Sequence, residues 1–195
     1  MSISPNPRPG RASRERGAAE PARYALLGLL LERPAHGYEL ARRFDAGSAL
    51  GDIIHLSASH LYALLSLLER DGLIAGEEQQ AGARPLRRVF ALTGAGRDVV
   101  LHWLDEPVAH PRDTRIELPL KLYIARSFEP ARARRLLERQ RSTFEAYIER
   151  LASTPLTAQS PEDTAFMELM REARIGRARA VLTWLDRVQH TLEGL

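Results

Sequence analysis

The first half of the chain carries apolar residues at helical spacing. Pro21, a residue that suits the first turn of a helix, precedes an apolar run over residues 24–31. A second helix is predicted over 37–45, and a third over 57–70 with Ser57 as its N-cap. Leucines recur at helical spacing in the third helix and predict its buried face, so its remaining side chains are expected to face solvent.

The spacing then changes to that of β-strands. Residues 73–79 and 87–92 are predicted to form two strands, and the Ala-Gly-Ala sequence at 81–83 predicts the turn of a hairpin between them. A further helix is predicted over 93–104, and a loop over 47–51, which glycine brackets at both ends. The predicted order is therefore three helices, a hairpin and a helix.

The remainder of the chain has a helical pattern throughout. Helices are predicted over about 117–127, 130–152 and 161–193, and the last two carry apolar stripes. These stripes consist of Leu137, Phe144, Ile148 and Leu151, and of Phe166, Met170, Ala173, Val181, Trp184, Val188 and Leu192.

The length of the last helix predicts self-association. At roughly 1.5 Å per residue it is about 48 Å long, more than one subunit of this size can cover. Trp184, Val188 and Leu192 are expected to lie beyond the reach of the preceding helix. A two-fold partner would cover them, so the sequence predicts a homodimer.

These patterns predict a mainly α protein with two folded parts. Residues 1–20, rich in Pro, Gly, Ser and Arg, are predicted to be a flexible tail. Residues 21–104 are predicted to form a winged helix-turn-helix domain with a two-stranded wing. Prolines mark a linker over 105–116, and 117–195 is predicted to be an α-helical dimerisation domain.

Composition narrows the class of protein. No apolar run approaches the roughly 18 residues of a membrane span, and no stretch of signal-peptide length precedes Pro21. The chain has no cysteine, which excludes disulfides, thiolate catalysis and cysteine-ligated zinc. We therefore expect a soluble, cytoplasmic protein that has no membrane partner and needs no cofactor.

Charge alone does not identify a nucleic-acid-binding surface. The net charge is +3, but residues 21–104 carry nine basic and nine acidic side chains. An argument for DNA binding must therefore rest on where the side chains lie rather than on how many are basic.

The predicted element order suits DNA recognition. In a winged helix-turn-helix the third helix enters the major groove, and the hairpin reaches a neighbouring groove or the backbone. The predicted exposed face of that helix is small or hydrogen-bonding, and the wing is basic. The candidates are Ser57, Ser59, His60, Tyr62, Ala63 and Ser66 in the helix, and Arg84, Arg87 and Arg88 in the wing.

Three motifs resemble the PadR family of bacterial transcriptional regulators. They are HGYEL at 36–40, LSASHLYALLSLLERDGLI at 56–74 and ALTGAGR at 91–97. The helical C-terminal region is similar to the branch of the family with a separate dimerisation domain. The resemblance implies a dimeric repressor on a palindromic double-stranded DNA operator, released by a small hydrophobic or phenolic effector.

The chain departs from the family pattern on the predicted base-reading surface. Ser59-His60 stand where Gly-Thr is frequent, and Ala63 replaces a usual proline. We expect these changes to alter the operator. Residues 87–90 read Arg-Arg-Val-Phe in place of Arg-Lys-Tyr-Tyr, which keeps the charge but loses two hydroxyl groups.

Two tyrosines have alternative interpretations. Tyr38 can direct its hydroxyl at a DNA phosphate with Arg42 one turn later, or it can be a core residue. Tyr62 can face DNA or pack under the wing.

Other chemistry has little support in the sequence. Asp52, His55 and His60 lack the further ligand that a metal site needs. Gly94-Ala95-Gly96 opens a helix without the third glycine of a dinucleotide loop, and Ser57 with His60 lacks a nucleophile elbow. An enzyme is therefore not expected. The alternative function is a helical protein-interaction adaptor whose winged helix no longer binds DNA.

Overall fold

The computed structural model describes residues 11–79, 87–157 and 160–193. The chain divides into two compact units, Met1–Trp103 and Leu104–Leu195. The described part is mainly α-helical, as predicted, with one small sheet. None of its described helices is both long and apolar enough to cross a lipid bilayer.

The first helix is longer than predicted. α1 spans Arg11–Glu32, so residues 11–20 of the predicted flexible tail are helical. Arginine, alanine and glutamate dominate that stretch and all favour helix. Pro21 lies inside α1 rather than at its start, where it removes one backbone hydrogen bond without ending the helix. Residues 1–10 of the predicted tail lie outside the described residues.

A short helix replaces the loop predicted over 47–51. α2 spans Gly37–Arg42 and α3 spans Ala49–Ile53. The hydroxyl oxygen of Ser48 caps α3, because it accepts a hydrogen bond from the Gly51 amide at 2.9 Å. A helix of five residues is too short to show an apolar period, and this is why the sequence pattern did not predict it.

The next helix is the one that the leucine pattern predicted. α4 spans Ala58–Arg70, and the Ser57 hydroxyl accepts a hydrogen bond from the His60 amide at 3.4 Å, which confirms Ser57 as the N-cap. α5 spans Gly94–Asp105, close to its predicted bounds.

The sheet has one strand more than predicted. β2 spans Ile74–Gln79 and β3 spans Arg87–Leu92, and they pair antiparallel with Gly76 opposite Phe90. β1, Ala35–His36, pairs with the other edge of β3, so the strand order is β1-β3-β2. Two residues are too few to show an alternating pattern. The predicted turn at 81–83 lies outside the described residues.

The core of the first unit lies where α1, α4 and the sheet meet. The leucines predicted to be core are all buried, and at the edge the Tyr24 and Trp103 rings stack with centroids 4.4 Å apart. The core leucines of α1 and α4 are Leu26, Leu27, Leu30, Leu61, Leu64, Leu65 and Leu68.

The second unit is helical throughout its described part. A 3-10 helix at Pro111–Arg115 leads into α6, Glu117–Phe128. α7 spans Pro130–Ser153 and α8 spans Pro161–Glu193, close to the predicted bounds. The core cluster consists of Val108, Leu118, Leu122, Leu136, Leu137 and Leu185.

The predicted linker at 105–116 is part of this second unit. Val108 is buried, and its backbone exchanges two hydrogen bonds with the Gln140 side chain, at 2.7 and 2.8 Å. Lys121 is buried as well, and its ammonium donates to the Glu106 carbonyl and to Glu117. Burial lowers the pKa of Lys121, and Glu117 opposes that shift. The prolines of this segment predicted a loop, but side chains distant in sequence hold it in place.

α7 and α8 run antiparallel, and this changes which end of α8 is uncovered. Arg171 donates to the Thr154 carbonyl at 3.1 Å, while Arg141 pairs with Asp186. Residues 161–170, the first ten of α8, therefore extend beyond the end of α7.

The apolar stripe of α8 is covered at one end only. Val188, predicted to lie beyond reach, packs against the core cluster, and Leu185 is buried. Large apolar side chains are exposed in the first turns instead: Phe166 is 61% exposed and Leu169 is 59% exposed. The prediction that Val188 lies beyond the reach of the preceding helix was wrong, because the later part of α8 runs back alongside α7. Trp184 is 37% exposed, and the side chain of Leu192 lies outside the described part.

Candidate nucleic-acid interface

α4 presents a polar face without acidic side chains opposite its buried leucines. Ser59, His60 and Tyr62 are exposed, and so are Ala63 and Ser66. The Ser66 hydroxyl donates to the Tyr62 carbonyl at 3.0 Å, so its oxygen remains free to accept a hydrogen bond from outside. This face carries donors and acceptors without a carboxylate that would repel phosphate.

α2 contributes a cation and a phenol beside that face. Tyr38 is 66% exposed, so it is not a core residue. The Arg42 guanidinium lies 6.0 Å from the centroid of the Tyr38 ring, and Arg42 is exposed. It makes no ion pair with any residue that the structure describes. Arg42 is therefore available to an anion from solvent.

His36 holds the start of α2 on the sheet. Its backbone amide donates to Glu39 at 3.4 Å, and its ring Nδ1 donates to the Arg88 carbonyl at 3.2 Å. The second contact joins α2 to β3, so the position of Tyr38 depends on the root of the wing. The HGYEL motif marks this segment, although its role as a connection to β3 is not visible in the pattern.

Gly37 is a site residue that sequence reasoning missed. A Cβ atom at this position would lie 2.7 Å from Cε1 of the Tyr62 ring and 3.1 Å from its hydroxyl. Glycine therefore lets the Tyr62 ring lie against the start of α2. Tyr62 is still 49% exposed, so it packs on α2 and also faces solvent.

Arg88 is exposed, but its guanidinium contacts groups of its own unit. Its guanidinium donates to Glu69 at 2.6 Å, and the same carboxylate oxygen accepts the Gly76 amide at 3.0 Å. The guanidinium carbon also lies 5.4 Å from the centroid of the Phe90 ring. Only a glycine at 76 leaves room for this arrangement, since a Cβ there would lie 2.5 Å from Nε of Arg88.

The structure brings only some of the predicted site residues together. One groove with a volume of about 710 Å³ lies between α2, α4 and β3, and it is lined by Tyr38, Arg42, Tyr62 and Arg88. Ser57, Ser59 and His60 lie on the first turn of α4, outside that lining. Arg84 and the side chain of Arg87 lie outside the described part of the chain.

Comparison with known families accounts for both units. The model described as the transcriptional regulator PadR-like family matches residues 26–101, and the model described as virulence activator alpha C-term matches 114–193. Residues 26–101 therefore form a domain of the PadR-like family of transcriptional regulators. Members of this family are regulators and not enzymes.

Two curated relatives are similar to the chain. A probable transcriptional regulator of Mycobacterium tuberculosis is 30% identical over 92 residues, which are 47% of this chain and 48% of the relative. The chain thus spans about half the length of that relative. The negative transcriptional regulator PadR of Bacillus subtilis is 23% identical over 175 residues, 85% of this chain and 94% of the relative.

Solved PadR structures are similar over most of the chain. Bacillus subtilis PadR in complex with operator DNA gives a TM-score of 0.44 at 23% identity, covering 88% of this chain and 98% of that chain. The same protein in complex with p-coumaric acid gives 0.40 at 22% identity, covering 89% and 99%.

Substitution of Gly37 by alanine tests whether the Tyr62 ring packs against the start of α2. We expect it to lower the free energy of unfolding by about 1–3 kcal/mol, because the new methyl group overlaps the Tyr62 ring. In a protein that also carries Tyr62→Ala, the same substitution should lower the free energy of unfolding much less. Denaturant unfolding of the wild type, the two single variants and the double variant measures this difference.

Gly94→Ala is the matched control. Gly94 is exposed, and a Cβ there would meet no atom within 4 Å, so we expect almost no change in stability. If Gly37→Ala lowers the free energy of unfolding equally with and without the Tyr62 ring, the two residues do not interact and the interpretation is wrong.

Proposed function

We propose that this PadR-like regulator binds double-stranded operator DNA through α4, α2 and the β2–β3 wing. The observation that carries the proposal is the position of Arg42. This arginine is exposed and makes no ion pair with a described residue. It lies beside Tyr38 and next to the face of α4 that has no carboxylate. A helix face of this kind can read base edges, and a flanking cation can bind phosphate.

The proposed docking assigns a role to each group. Ser57, Ser59 and His60 lie at the N-terminal end of α4, the end that enters the major groove in helix-turn-helix proteins. Tyr38 and Arg42 contact the phosphate backbone from α2. Arg84 and Arg87 contact phosphate or the minor groove from the wing.

Arg88 has a different role in this proposal from the other wing arginines. Glu69 neutralises much of its charge at 2.6 Å, so an additional phosphate contact would have to compete with a charge-assisted hydrogen bond. Arg88 therefore serves chiefly to fix the root of the wing on α4.

The proposal includes a homodimer formed through the second unit. Phe166, Leu169 and Met170 are exposed near the start of α8, and exposed apolar clusters of this kind mark interfaces. A dimer would place two α4 helices in successive major grooves of a palindrome, about 34 Å apart.

We further propose that the chain is a ligand-responsive repressor acting in the cytoplasm, where the bacterial chromosome lies. The relative from Bacillus subtilis is a negative transcriptional regulator, which supports repression. A small hydrophobic or phenolic effector would act by favouring one of two dimer arrangements, because a ligand shifts an equilibrium only through differential affinity.

One observation favours the alternative of an adaptor that does not bind DNA. Residues 21–104 have equal numbers of basic and acidic side chains, and Arg23, Arg43 and Arg88 pair with acids inside the unit. The salt dependence of binding separates the two functions, because phosphate contacts release counterions and adaptor contacts to protein do not.

The salt test uses Arg42. The full-length protein should bind duplex DNA with an affinity that falls steeply as salt rises. Arg42→Gln should make the slope of log affinity against log salt shallower by about one unit for the lost phosphate contact. Arg70→Gln, at the C-terminal end of α4, is the control and should leave the slope unchanged. Wild-type protein without a measurable slope would favour the adaptor.

His60 tests base reading. Its replacement by alanine should change the preference at about one or two base pairs, at about 1–3 kcal/mol for a lost base contact. Competition gel shifts with single-base variants of an operator selected from random duplexes measure this. His55→Ala removes another exposed imidazole, outside α4, and should not alter the preference. A uniform loss for all sequences would assign His60 to the backbone.

The exposed start of α8 tests assembly. Phe166→Ser with Leu169→Ser should raise the dimer dissociation constant by about tenfold or more, because two large apolar side chains leave the interface. Light scattering across a dilution series measures the change. Glu168→Ser with Glu172→Ser alters exposed polar positions of the same helix and should have little effect. An unchanged dimer in the first variant would place the interface elsewhere.

A further inference from the structure

The second unit contains a basic cleft that the proposed DNA contacts do not use. It lies between the 3-10 helix, the end of α7 and the middle of α8, and its volume is about 380 Å³. The described lining carries three guanidinium groups and no carboxylate, so its electrostatic potential attracts anions. The residues that matter for its chemistry are His110, Arg112, Tyr147, Leu151, Arg174 and Arg177.

Two of these arginines have no counter-charge. Arg174 and Arg177 are exposed, and neither makes an ion pair with a residue that the structure describes. They stand three positions apart on α8, where like charges repel. No acidic residue occupies a position three or four residues from either of them, so the helix itself does not balance their charge.

The neighbouring arginines differ in this respect. Arg171, one turn earlier on α8, donates to the Thr154 carbonyl at 3.1 Å. The Arg112 guanidinium lies 3.6 Å from the carboxylate of Asp113, which offsets part of its charge. The charge that an anion in the cleft would have to balance is therefore mainly that of Arg174 and Arg177.

This charge favours a dianion over a monoanion. A phosphomonoester carries a charge of about −1.5 to −2 near pH 7, so it can balance both arginines, whereas a carboxylate balances only one. Its phosphate group also has three acceptor oxygens, which can meet donors from separate elements of the fold. It therefore does not need the planar, paired alignment through which one guanidinium binds a carboxylate.

The wall of the cleft on α7 suits the carbon part of such a ligand. Tyr147 and Leu151 are half-buried and one helical turn apart. An alkyl group that lies against them leaves water, and the volume of the cleft is at the lower end of the range for small-molecule pockets.

We propose that this cleft binds the dianionic phosphate group of a small phosphomonoester. Arg174 and Arg177 bind the phosphate oxygens with help from Arg112, and Tyr147 and Leu151 contact the carbon part of the ester. The site is built from the second unit alone, so the proposal does not depend on DNA recognition by the first unit.

Calorimetric titration of the full-length protein with butyl phosphate, without DNA and at constant ionic strength, tests the class of ligand. The titration is done at about pH 8, where the ester is a dianion. Diethyl phosphate has the same number of carbon atoms but one charge, as a DNA phosphodiester has, and benzoate is a carboxylate with one charge. Both should bind about tenfold more weakly or less, because each balances only one arginine.

Inorganic phosphate tests the contact with the apolar wall. It has the charge of the ester without the alkyl group, so it should bind about fivefold more weakly than butyl phosphate. Equal binding of the two would show that the cleft takes the free ion, and the assignment to an ester would be wrong.

Paired substitutions locate the site. Arg174→Gln with Arg177→Gln should weaken butyl phosphate binding by about tenfold or more, because both uncompensated charges are lost. Arg179→Gln with Arg187→Gln removes the same charge from exposed positions of α8 outside the cleft, so binding should stay within about twofold. Thermal melts and light scattering show whether both double variants keep the fold and assembly of the wild type.

Several outcomes would overturn the proposal. Absence of butyl phosphate binding at millimolar concentration would do so, as would an equal loss of binding in the two double variants. Diethyl phosphate or benzoate binding as tightly as butyl phosphate would show that the cleft does not select a dianion. Loss of affinity for duplex DNA in Arg174→Gln/Arg177→Gln, without butyl phosphate binding in the wild type, would assign these arginines to the DNA backbone.

Discussion

The burial of one leucine face of α4 is the constraint on which the first unit depends. Leu61, Leu64, Leu65 and Leu68 are all buried, and each contributes about 1.5–3 kcal/mol on leaving water. Because a helix turns once in 3.6 residues, this burial orients the opposite face outward. The same interaction that stabilises the fold therefore presents the polar face of α4 to solvent.

Contacts around that helix then set the surroundings of the exposed face. Glu69, in the last turn of α4, binds the Arg88 guanidinium and the Gly76 amide and so attaches both strands of the wing. His36 attaches α2 to β3, and Gly37 lets α2 approach the Tyr62 ring. Through these contacts the root of the wing and the helix that carries Tyr38 and Arg42 are joined.

The second unit depends on contacts that join its first residues to its helices. Gln140 satisfies both backbone groups of Val108, and leaving them unpaired in the interior would cost about 1–3 kcal/mol each. The antiparallel course of α7 and α8 covers the later part of α8 and leaves Phe166 and Leu169 exposed.

The sequence by itself determined the elements with a clear period and the residues that face solvent on them. The bounds of α4 and α7, the pairing of β2 with β3 and the exposed polar face of α4 all follow from apolar spacing, caps and turns. The motifs at 36–40, 56–74 and 91–97 were sufficient to predict the family. These features are local, so a pattern of a few residues contains them.

The tertiary structure alone decided which side chains meet. The capture of Arg88 by Glu69, the approach of Gly37 to Tyr62 and the inclusion of 105–116 in the second unit join residues far apart in the sequence. β1 and α3 were too short to show a period, and they exist because of pairing with β3 and capping by Ser48. The direction in which α7 and α8 pack determined which apolar side chains of α8 stay exposed. The spacing of residues within α8 alone does not contain that information.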